Sequence, residues 1–262
     1  MKRTPMMPAA EASTVDVTRK PPRPGLEPGV VDLWWVALDA EPDDQARALA
    51  ERLSADERER AERFFFARDR RRFVVARGVL RVLLGRYLGA AAETVAFRYG
   101  TNGKPALAAP AAHLHFNLAH SEGQALYAFS GDSEVGVDLE RIRELPDWES
   151  IASTCFGPQE TARVQAAPAA ERRLEFFQAW ARQEAVLKAS GVGLAGAGRG
   201  APAAAGAWRV FSLALDPTYA AAVAVGAGPR WLRVCRWGER QEPGRARRMA
   251  LAEMAHVGPG LL

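Results

Sequence analysis

The chain has 262 residues, of which 48% are hydrophobic and 25% charged, with a formal charge of +4 at pH 7. That balance supplies a sizeable core and excludes wholesale disorder. No stretch of about 18 strongly apolar, uncharged residues occurs, which excludes a transmembrane helix. Two cysteines, Cys155 and Cys235, exclude a disulfide framework and read as thiols of a reducing compartment. Of 35 basic residues only Lys2, Lys20, Lys104 and Lys188 are lysines, so a lysine inside a motif stands out.

Residues 1–29 are polar, proline-rich and without periodicity. Lys2 and Arg3 lead into no apolar segment, so this stretch reads as a disordered tail and the protein as cytoplasmic. Val31–Leu38 reads as a buried strand, followed by a short helix within Pro42–Leu53. Ser54 then caps a second helix, with Glu57 three residues on completing a capping box. From Glu57 to Leu88 the pattern is helical, with Phe64, Phe65, Phe73, Val74, Leu80, Leu83, Leu84 and Tyr87 as apolar faces and Gly89 as the stop. A strand at Val95–Tyr99 leads into a turn over Gly100–Pro105. His115–Leu118, Ala125–Ser130 and Glu134–Glu140 follow as strands. Pro146–Phe156 reads as a helix with an irregular end. A long helix runs from Ala169 to Ser190, broken by Gly191 and Gly193. Ala195–Gly206 reads as a loop, then strands follow at Trp208–Leu215, Ala220–Gly226 and Trp231–Trp237. The arginine-rich end from Gly238 reads as frayed. Each half has a long helix followed by strands, so the expected fold class is α+β. Two similar lobes, residues 30–133 and 134–237, would leave a ligand cleft between them.

Four constellations can carry chemistry. On the strand Val135–Glu140, alternation sends Gly136, Asp138 and Glu140 to one face, so two carboxylates point the same way. Such a pair resists joint ionisation unless a hard cation such as Mg²⁺ relieves it, and Mg²⁺ favours one or two carboxylates with phosphate oxygens and water. An acidic strand end in water, paired with Arg141 or Arg143, is the plainer alternative. In Trp180–Lys188, Glu184 and Lys188 share a helix face at i, i+4; a surface ion pair worth about 0.3–0.5 kcal/mol is the plainer alternative here. Asn117–Leu118–Ala119–His120–Ser121 follows a strand and places His120 where its N–H can meet an anion. His113 and His115 allow a zinc site, but no cysteine lies near and zinc takes three or four ligands. Between Arg58 and Arg86 stand ten arginines against Glu59, Glu62 and Asp69, a basic face suited to phosphates or nucleic acid. The turn Gly103–Lys104–Pro105 lets backbone approach a flat ring.

Taken in order, Gly103–Lys104–Pro105, Phe116–Asn117–Leu118–Ala119–His120–Ser121, Gly136–Val137–Asp138–Leu139–Glu140 and Trp180–Lys188 with Gly191–Val192–Gly193–Leu194 resemble the 4′-phosphopantetheinyl transferases of the Sfp type. Leu53–Ser54 through Phe64–Asp69 matches that family's first long helix, and the resemblance runs from about Val31 to Val225. It implies transfer of the phosphopantetheine arm of coenzyme A to a serine of an apo acyl or peptidyl carrier protein, with release of 3′,5′-ADP. The implied architecture is two pseudo-twofold α+β lobes in one monomeric chain, with coenzyme A and Mg²⁺ or Mn²⁺ in the cleft. Asp138, Glu140 and Glu184 would bind the metal. Glu184 and Lys188 would be catalytic, with Lys188 on the pyrophosphate, and Glu184 would help deprotonate the serine. His120 would hold a phosphate and Arg60 would meet the 3′-phosphate. Tyr99, Gly103, Lys104, Pro105, Asn117 and Ala119 would line the nucleotide. Gln183 and Ala119 depart from the lysine and serine of many members, which puts local contacts in question but not the metal ligands. Neither nucleic acid nor a membrane is an expected partner. The alternatives are a nucleic-acid module built on the arginine-rich helix 57–88, or a catalytically idle carrier-binding relative.

Overall fold

A computed structural model describes residues 26–100, 102–108, 114–191, 208–229, 231–238, 247–250 and 256–257. The expected tail up to residue 25, the expected loop 195–206, and Val192, Gly193, Leu194 and His113 of the motifs lie outside the described residues. In chain order the elements are β1 (Val30–Ala37), α1 (Asp43–Glu51), α2 (Ala55–Glu62), α3 (Ala67–Leu88), a 3₁₀ turn at Ala92–Thr94, β2 (Phe97–Tyr99), β3 (Pro105–Leu107), β4 (His115–Ser121), β5 (Gln124–Ser130) and β6 (Val135–Arg141). Then come α4 (Trp148–Cys155), α5 (Pro158–Ala166), α6 (Arg172–Ser190), β7 (Arg209–Leu213), β8 (Tyr219–Val225), β9 (Trp231–Arg236), β10 (Arg247–Ala250) and β11 (His256–Val257).

The strands form a five-stranded sheet in the order β10-β9-β1-β5-β4, a four-stranded sheet β11-β7-β8-β6, and the hairpin β2-β3. The two large sheets pack face to face through Val31, Leu33, Trp35, Leu126 and Ala128 of the first and Val135, Val137, Leu139, Phe211 and Val223 of the second. Outside the first sheet, α1 and α3 cover Trp34, Val36, Tyr127 and Phe129. Outside the second, α6 lies on Val210, Ala222 and Ala224. Strands buried on both faces explain why β1 and β8 read as nearly continuous apolar runs. The α+β class and the two-lobe plan stand.

Four expectations change. The helix expected over 57–88 is two helices. Glu57, buried in α2, accepts hydrogen bonds from Arg77 (2.6 Å) and Arg81 of α3. A single straight helix would separate Glu57 from Arg81 by about 36 Å, so the chain must fold back between them. It does so at Phe66, whose backbone is extended (φ −93°, ψ 131°). In consequence Phe65 and Phe66 are not core: they are 91% and 61% exposed. α5 and β3 escaped the periodicity because each is short; proline at the first turn of α5 marks its start. The end of the chain is not simply frayed. β9 pairs in parallel with β1, β10 pairs with β9, and β11 pairs with β7. The last strand of the expected lobe 134–237 therefore belongs to the first lobe's sheet. There it satisfies the open backbone edge of β1, which otherwise would be buried without partners.

Candidate active site

β6 and α6 carry the acidic and basic groups. Alternation holds on β6: Val135, Val137 and Leu139 enter the core between the sheets, while Gly136 and Asp138 face α6. A Cβ on Gly136 would stand 2.1 Å from the Ala185 carbonyl oxygen, so glycine lets the α6 backbone lie directly on the strand. That close approach brings Lys188 onto Asp138: its Nζ donates to Asp138 Oδ1 at 2.6 Å. Asp138 is 3% exposed, and its Oδ2 is buried with no hydrogen-bond partner among the described residues. Burial pushes the Asp138 carboxyl up against the opposing pull of Lys188. Burial, then the Asp138 charge, raises Glu140. Burial, then Asp138, and more weakly Glu140, raise Glu184. These three carboxylates thus feel one another, as the alternation and the helix spacing implied.

Among the described residues no three Asp, Glu, His or Cys side chains close into a ready-made metal cage. The donor chemistry nevertheless fits a hard cation: an orphaned buried carboxylate oxygen, two carboxylates raised beside it, and an ammonium filling in as counter-charge. The zinc alternative gains nothing, since His113 lies outside the described residues and His115 Nδ1 pairs with Glu134 at 3.1 Å.

β4 joins the two lobes. Asn117 Oδ1 accepts from the Val137 N–H at 3.0 Å, and Ser121 Oγ accepts from the Arg141 N–H at 3.0 Å. Side chains four residues apart on β4 therefore stitch two backbone groups four residues apart on β6. Asn117, expected only as a nucleotide neighbour, also fixes the height of the acidic strand. The hairpin turn is tied to α6 as well. Asn102 Nδ2 donates to the Gly191 carbonyl (3.0 Å), and Lys104 Nζ donates to the Ala189 carbonyl (2.9 Å) and to Glu134 (2.8 Å). The ammonium of Lys104 thus caps the C-terminal end of α6.

A cleft of about 790 Å³ opens between α3 and the hairpin on one side and α6 on the other, with β4 along its floor. Arg60, Tyr99, Gly103, Lys104, Pro105, Asn117, Ala119, His120, Glu184 and Lys188 all line it. Asp138 sits behind Lys188 and, like Glu140, is not part of the cleft wall. Burial, then the cations Lys188 and Arg60, hold the His120 imidazole below its ordinary pKa, although part of the ring stays open to the cleft. Phe73, Arg77 and Leu187 also line the cleft and were not anticipated. Arg77 donates to the Tyr99 hydroxyl and lies 4.3 Å from the Phe97 ring centroid. The sequence offered ten arginines and no means of telling that Arg77 turns inward. From Arg71 onward the arginine-rich helix is not an open basic face. Arg81 is buried on Glu57, Arg72 pairs with Asp39 at 2.5 Å, and Arg71 pairs with Asp43 at 3.0 Å. Arg86 is half-buried against the Trp237 ring, its pKa lowered by desolvation to about 10.

Residues 40–130 match the 4′-phosphopantetheinyl transferase N-terminal family, and residues 134–227 match the 4′-phosphopantetheinyl transferase superfamily. The 4′-phosphopantetheinyl transferase HetI of Nostoc sp. is 41% identical over 224 residues, covering 81% of this chain and 94% of the relative. The 4′-phosphopantetheinyl transferase AcpT of Salmonella typhimurium is 40% identical over 111 residues, covering 42% of this chain and 56% of the relative. The 4′-phosphopantetheinyl transferase psf-1 of Bacillus pumilus is 31% identical over 156 residues, covering 58% and 65%. This chain belongs to the 4′-phosphopantetheinyl transferase family.

Proposed function

We propose that the chain transfers the 4′-phosphopantetheine arm of coenzyme A to a serine of an apo acyl or peptidyl carrier protein and releases 3′,5′-ADP. The observation that carries this reading is the cleft in which Arg60, His120 and Lys188 face the carboxylate of Glu184, with Asp138 and Glu140 behind. Three separated basic groups suit a ligand with phosphates at two ends, and Tyr99 with Gly103 and Pro105 offers flat and backbone surface for a ring. The family is one of enzymes, which removes the idle and nucleic-acid alternatives from first place.

In the reaction the serine Oγ bonds to the phosphorus that bears the pantetheine, and the bond from that phosphorus to the bridging oxygen of 3′,5′-ADP breaks. Glu184 Oε takes the serine proton, its carboxylate standing in the cleft wall one helical turn from Lys188. Lys188 and His120 stabilise charge on the departing diphosphate oxygens, and Arg60 holds the 3′-phosphate. Asp138, Glu140 and Glu184 would hold Mg²⁺ or Mn²⁺, which when bound neutralises charge on the pyrophosphate. Lys188 Nζ is bonded to Asp138 Oδ1, so a Lys188 turned to the pyrophosphate would leave both Asp138 oxygens available to hold the cation.

No helix among the described residues is long and apolar enough to cross a membrane. Cys155 and Cys235 lie in different cores. Two thiols held in separate cores fit a reducing, cytoplasmic compartment, and the two-lobe form fits a monomeric enzyme. The test is incubation with coenzyme A, Mg²⁺ and a panel of apo carriers, followed by intact-mass measurement. A gain of one phosphopantetheine arm, abolished by EDTA, is expected; no gain on any carrier would overturn the reading.

A further inference from the structure

The chain leaves α2 and enters α3 through three consecutive phenylalanines that face in two directions. Phe64, 37% exposed, turns toward the cleft: it packs on Phe73 with ring centroids 5.3 Å apart and is one of the residues lining the cleft. Phe65 and Phe66 turn outward, 91% and 61% exposed, and their rings meet edge to face at 4.9 Å. Scattered exposed phenylalanines need no explanation, but two adjoining rings held against one another outside a substrate cleft make a preformed apolar knob. The fold-back that presents them is imposed by the Glu57 bonds to Arg77 and Arg81, so the knob sits on a rigid base.

Its surroundings are basic. Residues 58–72 hold seven arginines against Glu59, Glu62 and Asp69. Arg63, Arg68 and Arg70 around the knob have side chains 71%, 69% and 53% exposed, and among the described residues they form ion pairs with the equally local Glu59, Asp69 and Glu62. Exposed pairs of this kind exchange partners at little cost, so the arginines are available to an incoming acidic surface. An aromatic centre ringed by arginine is also the composition of an energetically dominant interface patch.

We propose that Phe65 and Phe66, with Arg63, Arg68 and Arg70, form a docking surface for the protein substrate, an acidic carrier with apolar residues set among its acids. This inference rests on the transferase reading above. Continuity supports it, because Phe64 belongs to the cleft wall while its two neighbours belong to the outer surface. A partner seated on the knob is therefore beside the opening through which its serine must enter. Charge complementarity supports it as well, and makes the association sensitive to salt.

The experiment compares the full-length wild type with a Phe65→Ala/Phe66→Ala double variant, using a carrier that the wild type modifies. Both rings are outside the core, and circular dichroism with the melting temperature checks the fold. The expected result is a rise of about tenfold or more in KM for the carrier, with the Kd for coenzyme A, read by calorimetry, unchanged. Arg63→Glu/Arg68→Glu should raise the carrier KM at low salt and flatten its salt dependence. An unchanged carrier KM would overturn the proposal. So would a loss of coenzyme A affinity, which would assign the rings to the nucleotide site. Binding of the wild type to anionic phosphatidylserine vesicles, lost in the double variant while the carrier KM stays constant, would overturn it in favour of a membrane surface. If the wild type modifies no carrier at all, the transferase reading itself fails and the docking surface with it.

Discussion

β1 and β6 occupy the same place in the two lobes. Each leads through helices into one long helix and then into a hairpin, β4-β5 or β7-β8, whose second strand pairs back on it. Each strand also carries one buried aspartate beside its long helix. Asp32 is closed: Arg233 donates to both of its oxygens at 2.7 and 2.6 Å, and the Tyr87 hydroxyl of α3 adds a third bond at 2.7 Å. Asp138 is open: one oxygen meets Lys188, and the other meets nothing among the described residues. A carboxylate with all its bonds made inside the fold has only a structural use. One left half-satisfied under a single ammonium keeps a coordination position in reserve, and the fold tolerates that cost only where chemistry needs it. The two lobes share a topology, and the difference between structural and reactive lies in how many bonds each aspartate is given.

The strongest way to break this comparison is Asp138→Asn. Transfer should fall by about a thousandfold or more, roughly 4 kcal/mol of barrier, while the folded chain loses less than about 1 kcal/mol. A comparable loss of activity from global unfolding would refute it. Asp32→Ala should do the reverse. It strands the buried side of Arg233 and the Tyr87 hydroxyl, costing about 3–5 kcal/mol of stability by urea unfolding. The enzyme that stays folded should keep a near-normal turnover number. Asn117→Ala leaves the Val137 N–H buried and unpaired, which predicts a loss of about 1–3 kcal/mol. A simultaneous weakening of metal affinity is expected, because the acidic strand loses its register against β4.

The smallest expected effect is on pH. Folding raises the carboxyl groups of Asp138, Glu140 and Glu184, so the folded chain binds more protons there than the unfolded one. Their stabilising contribution is complete below the ordinary carboxylate range of about 4 and is lost as pH rises through the raised values. Glu184→Gln should therefore raise the melting temperature more at pH 8 than at pH 4.5. Asp39 and Glu134, lowered by Arg72 and by Lys104 with His115, act with the opposite sign, so the mutant difference and not the raw curve is the readout. A Glu184→Gln gain that is flat with pH would remove the electrostatic coupling from the site.

Much of this site was legible in one chain because its motifs are local. Period-two alternation places Asp138 and Glu140 together, and the i, i+4 spacing places Glu184 with Lys188. Among the residues expected to line a nucleotide, Arg60, Tyr99, Gly103, Lys104, Pro105, Asn117, Ala119 and His120 do line the cleft. What escaped was every relation between distant segments. Lys104 reaches Ala189, Asn117 reaches Val137, and Arg233 reaches Asp32 across 201 residues. Phe65 and Phe66 fit a helical apolar pattern and yet stand in solvent, since the pattern does not register that Glu57 forces the helix to fold back.

By itself the sequence determined the α+β class, the two long helices, the strands that carry the acids, and the side chains able to do phosphate chemistry. The elements follow from propensity and periodicity, which are properties of neighbouring residues, and the roles of the side chains follow from the resemblance of their motifs to a family. Only the tertiary structure decided which arginine turns inward, which lysine caps a helix and which pairs an acid, and that β9 crosses to the first lobe. It also decided which of two buried aspartates was left open. These depend on which faces meet, and no spacing along one chain encodes the distance between two faces until hydrophobic burial has closed it.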